Sequence, residues 1–226
     1  GMRHARGKYI AFLDGDDCLQ GRDALVELYQ AAEEVDADFV TFDADCFYES
    51  DLLRKASDRG NYYIRKKEYG SYASGRELFC EMMEHDDFCD GAWILFVKRE
   101  WIIRNGLWFV AGLNPEDCIW NFLCHMNAGK VRHIRKRFYR YRIRTNSLTT
   151  ENVSFTVIYG RIYTVREMLR YLLTNTLSER EENAIYGLVD IVLWHMKDKF
   201  RHLEVSEAYK INALSPIDRF LARYMN

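Results

Sequence analysis

The first 150 residues break into short apolar runs punctuated by polar clusters, and the rest carries long stripes of helical period. Lys8–Leu13 is an apolar run closed by Asp14-Gly15-Asp16-Asp17, which reads as a buried strand opening into a loop. From Asp23 to Val35, the residues Leu25, Leu28, Tyr29 and Ala32 fall on one helical face, and Asp38–Phe42 then reads as a strand. This strand–loop–helix–strand order is an α/β signature. Asp45–Tyr69 is polar and aromatic without clear period and predicts a surface excursion with short extended pieces.

Further on, Ser74 with Glu77 has the spacing of a capping box and predicts a helix through Met83. Trp93–Val97 reads as a strand or buried segment, and Lys98–Asn105 as a short helix stopped by Gly106. Asn114-Pro115-Glu116-Asp117 predicts a helix start, with Asn114 as N-cap and Pro115 in the first turn. That helix would run to Asn127 and bury Ile119, Phe122, Leu123 and Met126. Lys130–Arg144 alternates enough for one or two strands.

After Ser147 the pattern turns helical. Ile158, Ile162, Val165, Leu169 and Leu172 mark one long amphipathic helix, and Ile185, Leu188, Val189, Val192 and Met196 a second. Short helices are expected around Leu203–Ala213 and Pro216–Tyr224. A boundary near Thr150 divides a mixed α/β part, residues 2–150, from a helical part, residues 151–226; Gly1 reads as a remnant ahead of a start at Met2.

Composition narrows the class. A chain of 226 residues with 48% hydrophobic and 15% aromatic residues can bury a core, which excludes disorder as its main state. No apolar run reaches the ~18–20 residues a membrane span needs, and no signal peptide is legible at the start, so a cytoplasmic location is expected. The six cysteines are scattered without a C-x-x-C pair and read as reduced thiols. The net charge of −2 conceals a segregation. Asp14–Asp51 holds thirteen acids and one base, Arg22, whereas Lys130–Arg144 holds eight bases and no acid.

Three segments carry candidate chemistry. Asp14, Asp16 and Asp17 crowd the end of a strand, where ligands of open α/β sheets bind. They fit either an Asp-rich turn or a metal–phosphate site, since Mg²⁺ takes one or two carboxylates and completes its shell with water and phosphate. Glu116 and Asp117 fit either first-turn acids that favour the helix dipole or a general base facing an acceptor hydroxyl. In Lys130–Arg144, Tyr139 and Tyr141 alternate with Arg140, Arg142 and Arg144, which puts the two residue types on opposite faces. That segment fits a solvated basic strand, a diphosphate-binding face or a nucleic-acid surface with stacking aromatics. His85-Asp86-Asp87 reads as a polar helix end and His195 as a packed or surface residue.

The motifs together resemble a known family. Ala5-Arg6-Gly7-Lys8-Tyr9-Ile10-Ala11-Phe12-Leu13-Asp14-Gly15-Asp16-Asp17 closely resembles the segment around the DxD motif of family 2 glycosyltransferases. Gly106-Leu107-Trp108-Phe109, then Pro115-Glu116-Asp117, then Tyr139-Arg140-Tyr141-Arg142-Ile143-Arg144 with Ser147, resembles the same family's acceptor-side pattern in order and spacing. The resemblance covers about residues 3–150. It implies a partial GT-A (nucleotide-diphospho-sugar transferase-like) domain followed by an α-helical C-terminal region. The implied activity is inverting, metal-dependent transfer of a hexosyl group from a nucleotide-sugar, of the UDP-sugar kind, to a glycan or lipid-linked acceptor, as in polysaccharide biosynthesis.

Carried over by position, Asp14 would lie near the nucleotide, and Asp16 would hold Mg²⁺ or Mn²⁺ with Asp17 in support. Asp117 would be the general base with Glu116 beside it, while Arg142, Arg144 and Ser147 would steady the diphosphate. Family members usually open with a βαβ half ahead of the DxD strand. The expectation is therefore a C-terminal part lacking that nucleotide-binding half, with a DxD strand exposed at the sheet edge and open to homodimerisation. Some members also use a late His as a metal ligand, and this basic segment offers only His133. The rival expectation is a non-catalytic module, derived from such an enzyme, that binds a glycan or a protein. Nucleic acid is not an expected partner, a transmembrane segment is not expected, and peripheral membrane contact is left open.

Overall fold

The structure is a computed structural model that describes residues 1–56, 60–145, 154–201, 203, 210 and 214–224. It forms two compact units, Gly1–Trp108 with Trp120–Thr150, and Phe109–Ile119 with Glu151–Asn226. The boundary expected near Thr150 lies outside the described residues, as does the helix expected at Leu203–Ala213 except for residues 203 and 210.

The first unit is built on a mixed sheet of six strands: β1 (Tyr9–Ala11), β2 (Cys18–Leu19), β3 (Phe39–Tyr48), β4 (Gly70–Tyr72), β5 (Leu95–Lys98) and β6 (Val131–Ile143). Their order is β1-β5-β3-β6-β2, with β4 also paired to β6. β1, the strand ahead of the acidic cluster, is an edge strand paired antiparallel to β5. β3 and β6 run parallel from Phe39↔Val131 to Tyr48↔Ile143, with register shifts at Phe42/Asp43 and Asp43/Ala44. On the far side of β6, β4 pairs with its beginning and β2 with Tyr139 and Arg140.

Pairing with β6 explains a departure from the expected pattern. The stretch expected to leave the sheet at Asp45 instead continues β3 to Tyr48, because β6 supplies backbone partners along the whole length. Asp51–Ala56 then forms a short helix, α2. The basic segment is likewise one strand of 13 residues.

The helices of this unit cover the sheet. In α1 (Ala24–Val35) the buried residues are Ala24, Leu28, Ala31 and Ala32. Leu25 and Tyr29 of the expected apolar face are exposed; Tyr29 meets Tyr9 edge-on at 5.8 Å and donates to Glu33. α3 (Gly75–Glu84) buries Leu78, Phe79, Cys80 and Met82. α4 (Arg99–Asn105) ends, as expected, at Gly106, whose φ of 63° suits the left-handed cap. α5 spans Asp117–Asn127. It begins later than the Asn114 cap predicts: Asn114 and Pro115, joined by a cis peptide bond, lie in a bend before it.

Two polar groups are buried beside this core. At the irregularity in β3, Asp43 (1% exposed) accepts from the Arg65 amide and lies 3.6 Å from the Arg65 guanidinium, itself 2% exposed. His133 is wholly buried; its Nδ1 accepts from the Tyr69 amide, so its Nε2 donates to Asp43. Both ring nitrogens are therefore occupied within the fold. His125, on α5, donates from Nδ1 to the Asn121 carbonyl, and its Nε2 is buried without a hydrogen-bond partner. It sits among Phe39, Phe79 and Phe88.

The helical part of the second unit comprises α6 (Phe155–Thr174), α7 (Glu179–Arg201) and α8 (Pro216–Tyr224). Ile158, Ile162, Met196 and Ala222 form its core. Ser215 caps α8 by accepting from the Asp218 amide, and Asp218 in turn accepts from Arg166 of α6 at 3.1 Å. No helix among the described residues is long and apolar enough to cross a membrane.

Burial pushes His125 down from 6.5 to about 4. Between those values the unfolded chain binds a proton that the folded chain refuses, so stability falls as pH drops from about 6.5 towards 4. His125→Phe keeps the aromatic packing and removes the titration. Its stability, followed by urea denaturation across this range, should fall less than that of the wild type, with a difference approaching about 3 kcal/mol at the acid end.

Candidate functional site

The acidic cluster lies on the segment that crosses the sheet. β1 stands at one edge and β2 at the other, so residues 12–17 carry the chain from edge to edge. Phe12 anchors the start of the crossing against Trp120, ring centroids 5.1 Å apart. The β2–β6 pairing fixes its end, supported by the Gln20 amide donating to the Phe138 carbonyl at 2.8 Å. A tight turn, Asp17 N–H to Asp14 carbonyl at 3.2 Å, closes the cluster itself.

Asp16 and Asp17, the last two residues of that turn, have different surroundings. Asp16 Oδ2 accepts from Arg144 Nε at 2.6 Å, and each side chain is about one-third exposed, 33% and 36%. The hydrogen bond from Arg144 holds the Asp16 carboxyl below its usual range. Asp17 is more enclosed. Its Oδ2 accepts from the Tyr139 hydroxyl and its Oδ1 from the Arg142 amide, both at 2.6 Å. Burial nevertheless raises its pKa, outweighing both hydrogen bonds. Asp14 is exposed, and its amide donates to the Tyr139 hydroxyl at 3.1 Å.

The basic strand supplies the other wall. Tyr139 and Tyr141 stack on Trp93 at 4.5 and 5.5 Å, so alternation does put these two tyrosines on one face. Arg142 reaches Glu49 at 3.7 Å, and its Nε is buried without an acceptor. Along the same strand, Arg132 pairs with Glu34 at 2.6 Å, Arg137 with Asp45 at 3.0 Å, and Lys136 with Glu27. The acid-rich and base-rich segments thus meet across α1, β3 and β6.

The structure therefore brings together Asp14, Asp16, Asp17, Arg142 and Arg144. Ser147 lies outside the described residues. The sequence assigns no site role to Tyr139 or Trp93; Tyr139 enters only as part of the Tyr139–Arg144 pattern and as a face-mate of Tyr141, and neither says anything of its hydroxyl.

Among the described residues no three His, Cys, Asp or Glu side chains converge to hold a metal. Asp17 offers little to a cation, because both of its oxygens already accept hydrogen bonds. Asp16 fits a cation that arrives with a phosphate ligand, which needs only one or two protein carboxylates. The orphaned Arg142 Nε is a buried donor beside the same loop and suits a phosphate oxygen.

Glu116 and Asp117 belong to the second unit and are half-buried, at the start of α5. Within that unit the preceding Asn114 is pressed on helix α6. A Cβ on Gly160 would lie 2.1 Å from the Asn114 carbonyl oxygen and 2.5 Å from its carbon. Only a residue without a side chain lets the segment approach so closely.

The sequence model of glycosyl transferase family 2 matches residues 1–97. The chain is 26% identical over 156 residues to the uncharacterised glycosyltransferase YibD of Escherichia coli, an alignment spanning 66% of this chain and 42% of YibD. It is 30% identical over 154 residues to the uncharacterised glycosyltransferase EpsJ of Bacillus subtilis, spanning 66% of this chain and 42% of EpsJ. The glycosyltransferase GlyA of Streptococcus pneumoniae is 28% identical over 181 residues, spanning 80% of this chain and 23% of GlyA. The chain thus spans less than half the length of each of these relatives. Among solved structures, residues 1–349 of S. aureus TarS superpose with a TM-score of 0.57 at 14% identity, covering 83% of this chain and 48% of that one. The same protein in complex with UDP-GlcNAc gives a TM-score of 0.57 at 12% identity, covering 88% and 61%.

Replacing Gly160 by Ala gains helix propensity of roughly 1 kcal/mol but drives a methyl into backbone that no side-chain rotation can relieve. A net loss of about 1–3 kcal/mol is expected, read as a lower thermal midpoint.

The fold agrees with the sequence match, which places the likeness to glycosyl transferase family 2 in residues 1–97.

Proposed function

We propose that the protein takes part in inverting transfer of a sugar from a UDP-sugar to a hydroxyl of a glycan or lipid-linked acceptor. The observation that carries this reading is the meeting of Asp16 with Arg144 at 2.6 Å, which joins the DxD-like loop to the basic strand across the sheet. The relatives named as glycosyltransferases support it, as does the likeness to a TarS structure in complex with UDP-GlcNAc.

A sugar–diphosphate bond breaks with negative charge gathering on the leaving diphosphate. Groups that meet that charge lower the barrier. In this reading Arg142 and Arg144 take the phosphate oxygens, with the buried Arg142 Nε as a donor already desolvated. Asp14 lies towards the nucleotide. Asp16 would hold Mg²⁺ or Mn²⁺, which would supply positive charge against the diphosphate. Asp117, with Glu116 beside it, accepts the proton of the attacking acceptor hydroxyl.

The pairing of Asp16 with Arg144 fits the same reading: it sets the carboxylate that would hold a cation beside the guanidinium that would meet a phosphate.

The test is calorimetry with UDP and Mn²⁺ on the wild type and on Asp16→Ala. The wild type should bind, and Asp16→Ala should bind at least roughly tenfold more weakly, the loss expected for a charged contact. Equal affinity would remove Asp16 from the donor site. Failure of the wild type to bind UDP while it retains a glycan would favour the non-catalytic binding module. With a donor and acceptor in hand, Asp117→Asn should lower turnover by about 10²–10⁴-fold.

A further inference from the structure

We infer that Tyr139 is the positioning residue of the acidic loop, and that Asp17 serves as the loop's tether to β6 rather than as a cation ligand. The inference rests on the reading of this loop as the donor site and adds to it the group that sets the loop's shape.

The argument starts from the hydroxyl. A phenol offers one donor and two acceptor lone pairs. Asp14 presents an N–H and must be the donor, so the Tyr139 oxygen accepts there, at 3.1 Å. The single O–H is then spent on Asp17 Oδ2 at 2.6 Å. One atom thus holds the first and last residues of the four-residue acidic turn. The second Asp17 oxygen accepts from the Arg142 amide at 2.6 Å, three residues along the same strand. The turn is fastened to β6 at three points, and both Asp17 oxygens are used in doing so.

The anchor itself is rigid. Tyr139 is wholly buried, and its ring lies on Trp93 at 4.5 Å with an interplanar angle of 24°. Trp93 is 6% exposed and also carries Tyr141 on the same face. Burial and the bond to Asp17 both raise the phenol's pKa, so the proton stays on the oxygen as the geometry requires. With Asp14 and Asp17 fastened at the two ends of the turn, Asp16 is left directed at Arg144, the residue just past the end of β6. By fixing both ends of the turn, the Tyr139 hydroxyl sets where the Asp16 carboxylate, which the functional reading assigns to the ligand, meets Arg144.

Tyr139→Phe tests this, because it keeps the ring and the stack and removes only the hydroxyl. Tyr9→Phe, which removes a hydroxyl bonded to Glu33 near the other edge of the sheet, is the control. Two measurements are made on the full chain: hydrogen exchange over residues 12–17, and affinity for UDP in the presence of Mn²⁺. The expected result is that Tyr139→Phe unfolds at close to the wild-type temperature, exchanges the Asp14 amide faster and binds UDP roughly tenfold or more weakly. Tyr9→Phe should change neither reading.

Wild-type exchange at residues 12–17 in Tyr139→Phe would overturn the inference whether or not UDP binds. Faster exchange with unchanged UDP affinity would overturn the positioning role, since a merely structural hydroxyl would behave that way. A wild type that binds no UDP would overturn the donor-site reading and with it the positioning role. The exchange measurement would then still report whether Tyr139 holds the loop.

Discussion

The parallel pairing of β3 with β6 is the constraint on which the first unit depends. It joins residues 39–48 to residues 131–143, so that segments remote in sequence share one hydrogen-bonded ladder. Neither strand could be buried without it, because a buried strand needs partners for its backbone groups. β5 and then β1 add to the free side of β3, while β4 and β2 add to β6. The pairing also brings acids against the bases of β6, in Asp45–Arg137 and Glu49–Arg142, and just past the end of the strand Arg144 meets Asp16. Exposed pairs of this kind contribute little to stability one at a time. Their effect is to leave a balanced surface where the sequence alone shows two strongly charged blocks.

The acidic loop inherits its geometry from that ladder. β1 and β2 stand on opposite edges of the sheet, so the link between them has to cross it. In crossing, it meets the Tyr139 hydroxyl and the Arg142 amide, both presented by β6. The contrast between Asp16 and Asp17 follows. Asp17 is drawn in, and burial raises its pKa; Asp16 remains partly in water beside a guanidinium, which lowers its own. Two carboxylates adjacent in sequence are thus assigned to different work by their surroundings, one structural and one facing the solvent.

The second unit shows the same dependence of a candidate site on close packing. The segment before Glu116 and Asp117 rests on α6 at Gly160, where the Asn114 carbonyl occupies the space a side chain would need. Elsewhere in that unit the Arg166–Asp218 pair and the Ser215 cap join α8 to α6. In the first unit, the cluster of Asp43, Arg65 and His133 fills the irregular point of the β3–β6 ladder, so the one late histidine of the basic strand is spent on the fold.

What the sequence determined by itself is the local order. The stripes of α7 at Ile185, Leu188, Val189, Val192 and Met196 are all buried, Gly106 ends α4, and the motif through Asp17 pointed to the family that residues 1–97 match. Period and capping residues are written in neighbouring positions, so they can be read one segment at a time. What only the tertiary structure decided is whatever depends on a distant partner. β3 runs on to Tyr48 because β6 is there to pair with it, and two-residue β2 exists only as the other half of a ladder. Leu25 and Tyr29 turn outward because the sheet meets α1 along its alanines. Asp16 and Asp17 look alike in the chain and differ in the fold, because hydrogen bonds from residues more than a hundred positions away divide their roles, and no local pattern carries that information.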